Sequence, residues 1–415
     1  MKYLYNLVAC IFLLCATACY HHNEVPEPEP QPTHTLLVYM AGDNSLSDYC
    51  KTNIRLMKEA LMDATEDLNL VIYKDNRSSG DGLPSLFQLK RTVDKKTHIA
   101  KIDTVYLEKF NVELNSCDPT VLKDIVNKTF STFNTEVKGL EIWSHGLSWV
   151  PSSNFRFNGK SATRGVKYVG QDDNHYMELW DLRVALESCP HLDYILFDAC
   201  FAGMAEVANE LDGVCDYIYG PITEIMGFGF PYNSMVRILS YCNKKADVER
   251  TLTNCVTDFS QSDLFSRNGF TITLLETAKA NSLAKSIAKL RMAAPEASKY
   301  LEDNCMIPEV ESAFQHYGRS LVGARYYFYE IADYVNYLSK DGSTEVKSIV
   351  KEIEDNDIVV SYAYSNTFVE GSEKIDLKGC KGLGISIPEF FYLTGQENLL
   401  KKTYGKTKWG KTLGY

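Results

Sequence analysis

The stretch "YILFDACFAGMAEVANEL", residues 194–211, decides the fold that we expect for this chain. An apolar run ends at Asp198, Ala199 and Cys200, and apolar residues with helical spacing follow at once. A continuous apolar strand that leads directly into a helix is typical of a buried parallel sheet. We expect the helix to begin at Phe201, so that its positive N-terminus favours a reactive thiolate at Cys200. The alternative is a cysteine that only packs in the core.

The alternation of strands and helices continues on both sides of this stretch. Before it, we predict strands at His34–Gly42, Leu68–Asn76 and 139–146, a hairpin-like region at 78–104, and helices at 45–65 and from Pro119. After it, we predict strands at 216–222, 269–277 and 380–389, with helices at 281–294 and 324–339. This order predicts an α/β fold with a mostly parallel central sheet and helices on both faces. We expect residues 240–415 to extend the same sheet, with helical decoration.

A second reactive side chain follows another predicted strand. The stretch "WSHGLSW" places His145 and Gly146 directly after an apolar run. Ligands of open α/β sheets bind at the carboxyl ends of the strands, so His145 and Cys200 can meet there as the pair of a thiol enzyme. His145 would protonate the leaving amine, and the N–H groups of Gly146 and Cys200 would hold the oxyanion. The alternative is a structural histidine.

Asp198 lies two residues before Cys200. The two-residue period of a strand predicts that both side chains lie on one face of the sheet. An acid in that place can bind a cationic substrate side chain, or it can be an inert acid that faces solvent. The residues alone leave both interpretations open.

The N-terminal residues predict export. Residues 1–18 carry Lys2, a short apolar run and then small residues, which is typical of a signal peptide. The stretch "ATAC" ends at Cys19 and resembles a bacterial lipobox, in which the cysteine receives the lipid; the alternative is cleavage near Ala18 and a soluble product. Residues 19–32 are rich in Pro and Glu and predict an extended tether. We expect one folded domain at 33–415, anchored by lipid to the periplasmic or outer-membrane face of the envelope.

Composition excludes several classes of function. The net charge of −11 argues against a nucleic-acid partner, because phosphate binding needs clustered cations. Of the 12 cysteines, nine lie outside the export segment, and none forms a CxxC pair or has the spacing of a zinc site. We therefore predict no metal and no organic cofactor. We expect a monomer that acts on protein or peptide substrates.

Four motifs occur in the order of one known family: "LLVYMAGDNSLS", "LEIWSHGLSW", "LDYILFDACFAGMAEVANEL" and "TEIMGFGFPY". Together they resemble the clostripain family of cysteine peptidases, which are relatives of caspases, gingipains and legumain. The resemblance covers the chain from about Thr33 onward. It implies a caspase-like α/β/α sandwich with His145 and Cys200 as the catalytic dyad. It also implies cleavage after Arg or Lys, with Asp198 in the pocket for that side chain and Glu224 on the pocket wall.

The resemblance leaves other features open. Many members have a Gly-rich run after the histidine, whereas this chain has "HGLSW". Some members need calcium, but Asp172 and Asp173 in "GQDDNH" do not by themselves form a calcium site. Members are often processed between the histidine and the cysteine, and the polar stretch 151–168 offers four basic residues there: Arg156, Lys160, Arg164 and Lys167. Two alternatives remain, namely an inactive relative that binds peptides and a peptidase with another primary specificity.

Overall fold

In the computed structural model, the apolar run "HTLLVYMAG" forms strand β1 (His34–Gly42), and all nine of its residues are buried. Successive side chains of a strand point to opposite faces, and both faces of β1 are covered. Leu37 and Tyr39 pack into one hydrophobic core, whereas Leu36 and Val38 pack into a second core. A strand buried on both faces must be apolar throughout, which explains the unbroken apolar run.

The structure describes residues 31–64, 68–76, 82–94, 96–152, 156–157, 160–161, 169–319, 326–370, 373–394 and 397–415. Residues from Pro32 to Tyr415 form one compact unit. Cys19, the predicted leader and nearly all of the predicted tether lie outside the described residues, as do Arg164 and Lys167. In the part of the chain that the structure describes, no helix combines the length and the apolar character needed to cross a membrane.

Nine strands form the central sheet. In chain order they are β1, β2 (Leu68–Asn76), β3 (Ser85–Val93), β4 (Ala100–Lys109), β5 (Val137–Trp143), β10 (Leu192–Asp198), β11 (Cys215–Gly220), β12 (Thr271–Glu276) and β15 (Val359–Tyr364). Their spatial order is β15-β12-β11-β10-β5-β1-β2-β3-β4. The five strands from β11 to β2 are mutually parallel. Strands β3 and β12 are antiparallel to these five. Strands β4 and β15 are antiparallel to β3 and β12 in turn, so they run in the same direction as the five.

Helices cover both faces of this sheet. Helices α1 (Ser47–Met62), α5 (Tyr232–Leu239) and α6 (Val248–Gln261) pack against one face. Helices α2 (Pro119–Thr132), α3 (Leu179–Leu186), α4 (Ala205–Glu210) and α7 (Ala280–Ala293) pack against the other. Helix α2 begins as its sequence predicts, because Pro119 is its first residue and the Asp118 side chain accepts a hydrogen bond from Thr120 N. The predicted α/β/α sandwich is confirmed.

The C-terminal part differs from the prediction in two places. Residues 324–339 were expected to form one helix, but Tyr326–Glu330 is strand β14 and only Ile331–Leu338 is helix α10. Four consecutive aromatic residues in "YYFYE" favour a strand over a helix. The segment 380–389 does not return to the central sheet. Its short strand β18 (Gly384–Ile385) pairs with β14 in a separate three-stranded sheet that also contains β13 (His316–Arg319).

The other β-strands form three hairpins: β6 (Arg156–Phe157) with β7 (Lys160–Ser161), β8 (Gly170–Asp172) with β9 (His175–Met177), and β16 (Thr367–Glu370) with β17 (Glu373–Asp376). The other α-helices are α8 (Pro295–Asn304), α9 (Pro308–Glu311), α11 (Thr344–Glu354), α12 (Glu397–Tyr404) and α13 (Lys408–Thr412). Two of the predicted processing residues, Arg156 and Lys160, therefore lie on the strands of one hairpin.

Candidate active site

The two predicted reactive residues follow neighbouring strands. Strands β5 and β10 pair in parallel, with Asp198 opposite Trp143, so the residues after them leave the sheet at the same edge. His145 and Cys200 line one cleft of about 320 Å³. Asp198 and Glu224 line this cleft as well. The four side chains that we predicted from the sequence to act in the site, those of His145, Asp198, Cys200 and Glu224, therefore line the same cleft at this edge of the sheet.

The backbone around Cys200 differs from the prediction. The helix after the cysteine begins at Ala205 and not at Phe201. Phe201 has a φ of +59°, which a right-handed helix does not allow, and its N–H donates to Thr223 O at 3.0 Å. Cys200 therefore lies in a turn five residues before α4. The expected stabilisation of a thiolate by the start of a helix at Phe201 does not arise.

The prediction that the side chains of Asp198 and Cys200 lie on one face of the sheet is wrong. The strand ends at Asp198, and the period of two ends with it. Cys200 packs with the core on the side of α4, whereas Asp198 contacts Tyr232 of α5 on the other side. Both residues still reach the cleft, because the turn after Asp198 lies at the edge of the sheet.

The Cys200 thiol is held against the backbone of a neighbouring loop. It is only 7% exposed. Ile225 N–H donates to Cys200 Sγ at 3.3 Å, and Sγ lies 3.8 Å from Ile225 O. An N–H aimed at sulfur stabilises negative charge on it. Ile225 N–H therefore supplies part of the stabilisation of a Cys200 thiolate that we expected from a helix N-terminus at Phe201.

His145 is half-buried and is oriented by a residue that sequence reasoning missed. The Ser45 hydroxyl lies 2.8 Å from His145 Nε2. Ser45 belongs to the loop after β1, which Asn44 fixes by donating to Ala41 O at 2.9 Å and to Gln171 O at 2.8 Å. The sequence gives one indication that Ser45 lies at this edge of the sheet, namely its position shortly after the apolar strand β1.

Gly146 lies beside the same cysteine. Gly146 and Cys200 both line a second, smaller cavity that shares Cys200 with the cleft. The backbone of Gly146 is thus near the thiol, as an oxyanion donor must be. The buried residue Ser148, in the same loop, has a φ of +55°, so this turn is tight although the stretch "HGLSW" has no Gly-rich run.

Asp198 is 4% exposed and lies where the cleft meets α5. Its Oδ2 lies 2.5 Å from the Tyr232 hydroxyl and accepts from Phe230 N–H at 3.3 Å. Burial raises the pKa of Asp198 to about 7, although both hydrogen bonds oppose that shift. The ionised form of such a buried carboxylate is stabilised strongly when a cation enters the cleft beside it.

A second buried acid lies behind Asp198. Glu141 of β5 is 1% exposed, and its Oε1 lies 2.5 Å from the same Tyr232 hydroxyl. Burial, and then the charge of Asp198, raise the pKa of Glu141 well above its usual range. Sequence reasoning missed both Glu141 and Tyr232. An acid inside the apolar run "GLEIW" was a visible sign of a special environment.

Glu224 is half-buried and lies on the wall of the cleft, next to Ile225, Met226 and Gly227. The cleft therefore contains an acid on its wall as well as the acid at its base. Two acids near one cavity favour a cationic occupant.

Asp172 and Asp173 have different surroundings. Asp172 is buried and accepts from Ser116 N–H at 2.5 Å, and burial raises its pKa to about 6. Asp173 is exposed and accepts from the Asn174 side chain at 2.9 Å. Among the described residues, no group of three or more His, Cys, Asp or Glu side chains is arranged to hold a metal ion. The nine cysteines from Cys50 to Cys380 are all free thiols.

Comparisons with known proteins agree with this geometry. The clostripain family, Peptidase_C11, matches residues 38–398 of the chain. Clostripain from Hathewaya histolytica is 26% identical over 200 residues, which are 42% of this chain and 35% of that protein. The match thus spans about a third of the curated relative's length.

Two solved structures are also similar. An inactive zymogen C11 protease from Parabacteroides distasonis is 27% identical, with a TM-score of 0.72 over 93% of this chain and 99% of that one. A secreted C11 cysteine protease from Bacteroides thetaiotaomicron, solved with an irreversible peptide inhibitor, has a TM-score of 0.68 over 92% of this chain and 99% of that one. At 22% identity, that second likeness concerns the fold alone. The family model, the motifs and the fold agree, and the chain belongs to the clostripain family of cysteine peptidases.

Proposed function

We propose that this protein is an exported cysteine endopeptidase that cleaves peptide bonds after Arg or Lys. One observation carries the proposal: a single cleft is lined by a thiol, an imidazole and a buried carboxylate. The thiol and the imidazole are the groups that peptide cleavage through a thioester needs. The carboxylate at Asp198 gives the cleft a preference for a cationic side chain.

The first half of the reaction forms an acyl-enzyme. The Cys200 thiolate attacks the carbonyl carbon, and the carbonyl oxygen takes up the negative charge. Backbone N–H groups near Gly146 and Cys200 hold that oxyanion. As the C–N bond breaks, the protonated His145 gives its proton to the leaving amine, and a thioester to Cys200 remains.

The second half releases the acyl group. His145, now neutral, accepts a proton from a water molecule as the water attacks the thioester carbon. The C–S bond then breaks, the acid product leaves and the thiolate of Cys200 is restored. Ser45 supports both halves, because its 2.8 Å contact with Nε2 keeps the imidazole at the edge of the cleft.

Specificity rests on Asp198, with a contribution from Glu224. A guanidinium or ammonium group that enters the cleft meets a carboxylate from which water is largely excluded, where an ion pair is stronger than at the surface. Asn or Asp at the same place would leave that carboxylate without a cationic partner. Glu224 on the wall adds negative charge and strengthens the preference.

Export and processing complete the proposal. The leader at 1–18 and the lipobox cysteine Cys19 support attachment to the cell envelope. The related Bacteroides thetaiotaomicron protein is described as secreted, and the Parabacteroides distasonis protein as an inactive zymogen. We propose that this chain is likewise processed by its own activity within 151–168, at Arg156, Lys160, Arg164 or Lys167.

The test measures hydrolysis of short fluorogenic peptides that end in Arg, Lys, Asn or Asp. Wild-type protein is compared with Cys200→Ala and with the matched control Cys189→Ala, whose half-buried thiol contacts Lys123 O and Ala185 O and does not line the cleft. We expect cleavage after Arg or Lys that is lost only in Cys200→Ala. No cleavage by folded protein, with calcium present and after trypsin nicking of 151–168, would favour a peptide-binding relative instead.

The same variants test self-processing. Purified Cys200→Ala protein should stay intact, and addition of active enzyme should cut it at a basic residue within 151–168. A cut at the same site in Cys200→Ala alone would contradict self-processing.

A further inference from the structure

We propose that Tyr232 and Glu141 are positioning residues, and that together they fix Asp198 as the single negative charge at the base of the cleft. In this arrangement Glu141 carries a proton and donates it to the Tyr232 oxygen, and Tyr232 donates its own proton to Asp198 Oδ2. This inference rests on the proposed function, because it explains how the pocket for Arg or Lys is built. It assigns roles to two residues that do not touch the substrate.

The three groups form one short chain. Tyr232 is the first residue of α5, and its hydroxyl lies 2.5 Å from Glu141 Oε1 and 2.5 Å from Asp198 Oδ2. Glu141 and Asp198 lie on the neighbouring strands β5 and β10. All three side chains are buried, so water does not separate them.

The number of protons decides the direction of the hydrogen bonds. A tyrosine hydroxyl has one proton, so it can donate to only one of the two carboxyl groups. At 2.5 Å the other contact is a hydrogen bond only if that carboxyl group carries a proton and donates it to the Tyr232 oxygen. Two ionised carboxylates on one hydroxyl would leave an uncompensated repulsion between buried oxygens. One of the two acids is therefore protonated.

The surroundings indicate that Glu141 is the protonated acid. Asp198 receives a second hydrogen bond from Phe230 N–H and lines the cleft, where a substrate cation reaches it. Glu141 does not line the cleft, and Tyr232 is the hydrogen-bond partner that the structure gives it. Burial penalises charge on both acids, but Asp198 has a second donor in Phe230 N–H and access to a cation, and both offset the penalty.

This arrangement has a consequence for recognition. The Tyr232 hydroxyl and Phe230 N–H both contact Oδ2, so the carboxylate is fixed in orientation and Oδ1 remains for the substrate. Glu141 adds no second charge, because its proton stays within the chain of hydrogen bonds. Of the three groups Asp198, Tyr232 and Glu141, the pocket therefore presents one oriented carboxylate, which suits one guanidinium or ammonium group.

The experiment compares substrates with Arg and with citrulline before the cleaved bond, because citrulline has nearly the shape of Arg without its charge. Tyr232→Phe removes the donor to Asp198 and keeps the ring. We expect its kcat/KM for Arg to fall about tenfold, mainly through KM, with little change for citrulline. Glu141→Leu removes the donor to the Tyr232 oxygen and should lower the preference for Arg as Tyr232→Phe does, whereas Glu141→Gln, whose amide N–H replaces the carboxyl proton, should recover most of that preference.

A second measurement reports the proton directly. The infrared spectrum of the wild type at neutral pH should contain the C=O stretch of a protonated buried carboxyl group that Glu141→Gln lacks. If the two spectra agree in this region, Glu141 is ionised and the proposal is wrong. This readout does not depend on Tyr232→Phe folding well, because Glu141→Gln keeps the shape and the hydrogen bond.

The two proposals can fail separately. If the wild type does not prefer Arg to citrulline, the proposed specificity fails. If the wild type prefers Arg in a way that needs Asp198, but folded Tyr232→Phe keeps the same preference, only the positioning role fails. Alkylation of Cys200 by iodoacetamide should be equal in wild type and Tyr232→Phe, which separates a change in the pocket from damage to the thiol.

Discussion

Replacing Asp198 by Asn tests the pocket with the smallest change of shape. The amide keeps an oxygen that can accept from Tyr232 and Phe230, but it carries no charge. A substrate Arg would then lie in the cleft without its ionic partner. We expect kcat/KM for Arg to fall, while kcat/KM for citrulline stays nearly constant.

The size of the loss follows from burial. Asp198 is 4% exposed, so its pair with a substrate cation is largely shielded from water. Removing one partner of a buried, hydrogen-bonded charge pair costs about 2–5 kcal/mol, or roughly 30- to 5,000-fold in kcat/KM. One correction is small: because the pKa of Asp198 is about 7, only about half of the free enzyme at pH 7 is ionised there. That fraction reduces apparent affinity about twofold.

The assay is steady-state hydrolysis at pH 8, where Asp198 is mostly ionised in the wild type. Asp193→Asn is the matched control, because Asp193 is a buried acid on the same strand that binds Lys138 N–H at 2.7 Å. The ratio of kcat/KM for Arg to that for citrulline should collapse in Asp198→Asn and stay unchanged in Asp193→Asn. An unchanged ratio in folded Asp198→Asn would refute the assignment of Asp198 as the pocket acid.

Three further predictions concern the same site and its support. Ser45→Ala removes the partner of His145 Nε2 and should lower kcat about three- to tenfold with KM unchanged; equal kcat values in steady-state assays would exclude this role. Trp149→Phe loses the 2.8 Å hydrogen bond to Ser386 Oγ and part of a buried ring, and should lower the free energy of unfolding by about 1–3 kcal/mol in urea titrations. An unchanged free energy of unfolding would show that the C-terminal segment does not support the loop after His145. For Arg substrates, kcat/KM should fall as the pH drops through about 7, because Asp198 then becomes protonated and neutral, whereas a citrulline profile should lack this step.

The sign of the Asp198 pKa shift also gives a stability effect. The folded-state pKa lies above the ordinary value of 3.8, so the folded protein binds a proton more tightly than the unfolded chain does. The shift therefore contributes stability at low pH, and this contribution is lost as the pH rises through about 7. Ionised Asp198 therefore lowers the stability of the fold near neutral pH, which is consistent with its proposed role in binding.

The sequence predicted those parts of the site that depend on strand ends. His145 and Cys200 each follow an unbroken apolar run, and parallel strands end at one edge, so their meeting could be inferred without coordinates. The strand at His34–Gly42 was predicted to the residue because burial on both faces leaves an unmistakable apolar pattern.

Features that depend on distant contacts could not be predicted. The positive φ of Phe201 occurs where its ring packs on Phe328 at 5.3 Å and its N–H meets Thr223, and neither contact is visible in the local pattern that suggested a helix. Glu141 and Tyr232 meet although 91 residues separate them. The acid in the apolar strand was visible, but its partner was not.

The position of residues 151–168 between β5 and β10 has a consequence for a chain that is cut there. The cut divides the central sheet between two neighbouring strands: one piece keeps β5, β1, β2, β3 and β4, and the other keeps β10, β11, β12 and β15. His145 and Cys200 then belong to different polypeptides, joined by the β5–β10 ladder and by the packing of Trp149 on Phe391 and Tyr404. Such a protein is thermodynamically a heterodimer. Its unfolding becomes a dissociation, so its melting temperature should rise with protein concentration, whereas that of the uncut chain should not.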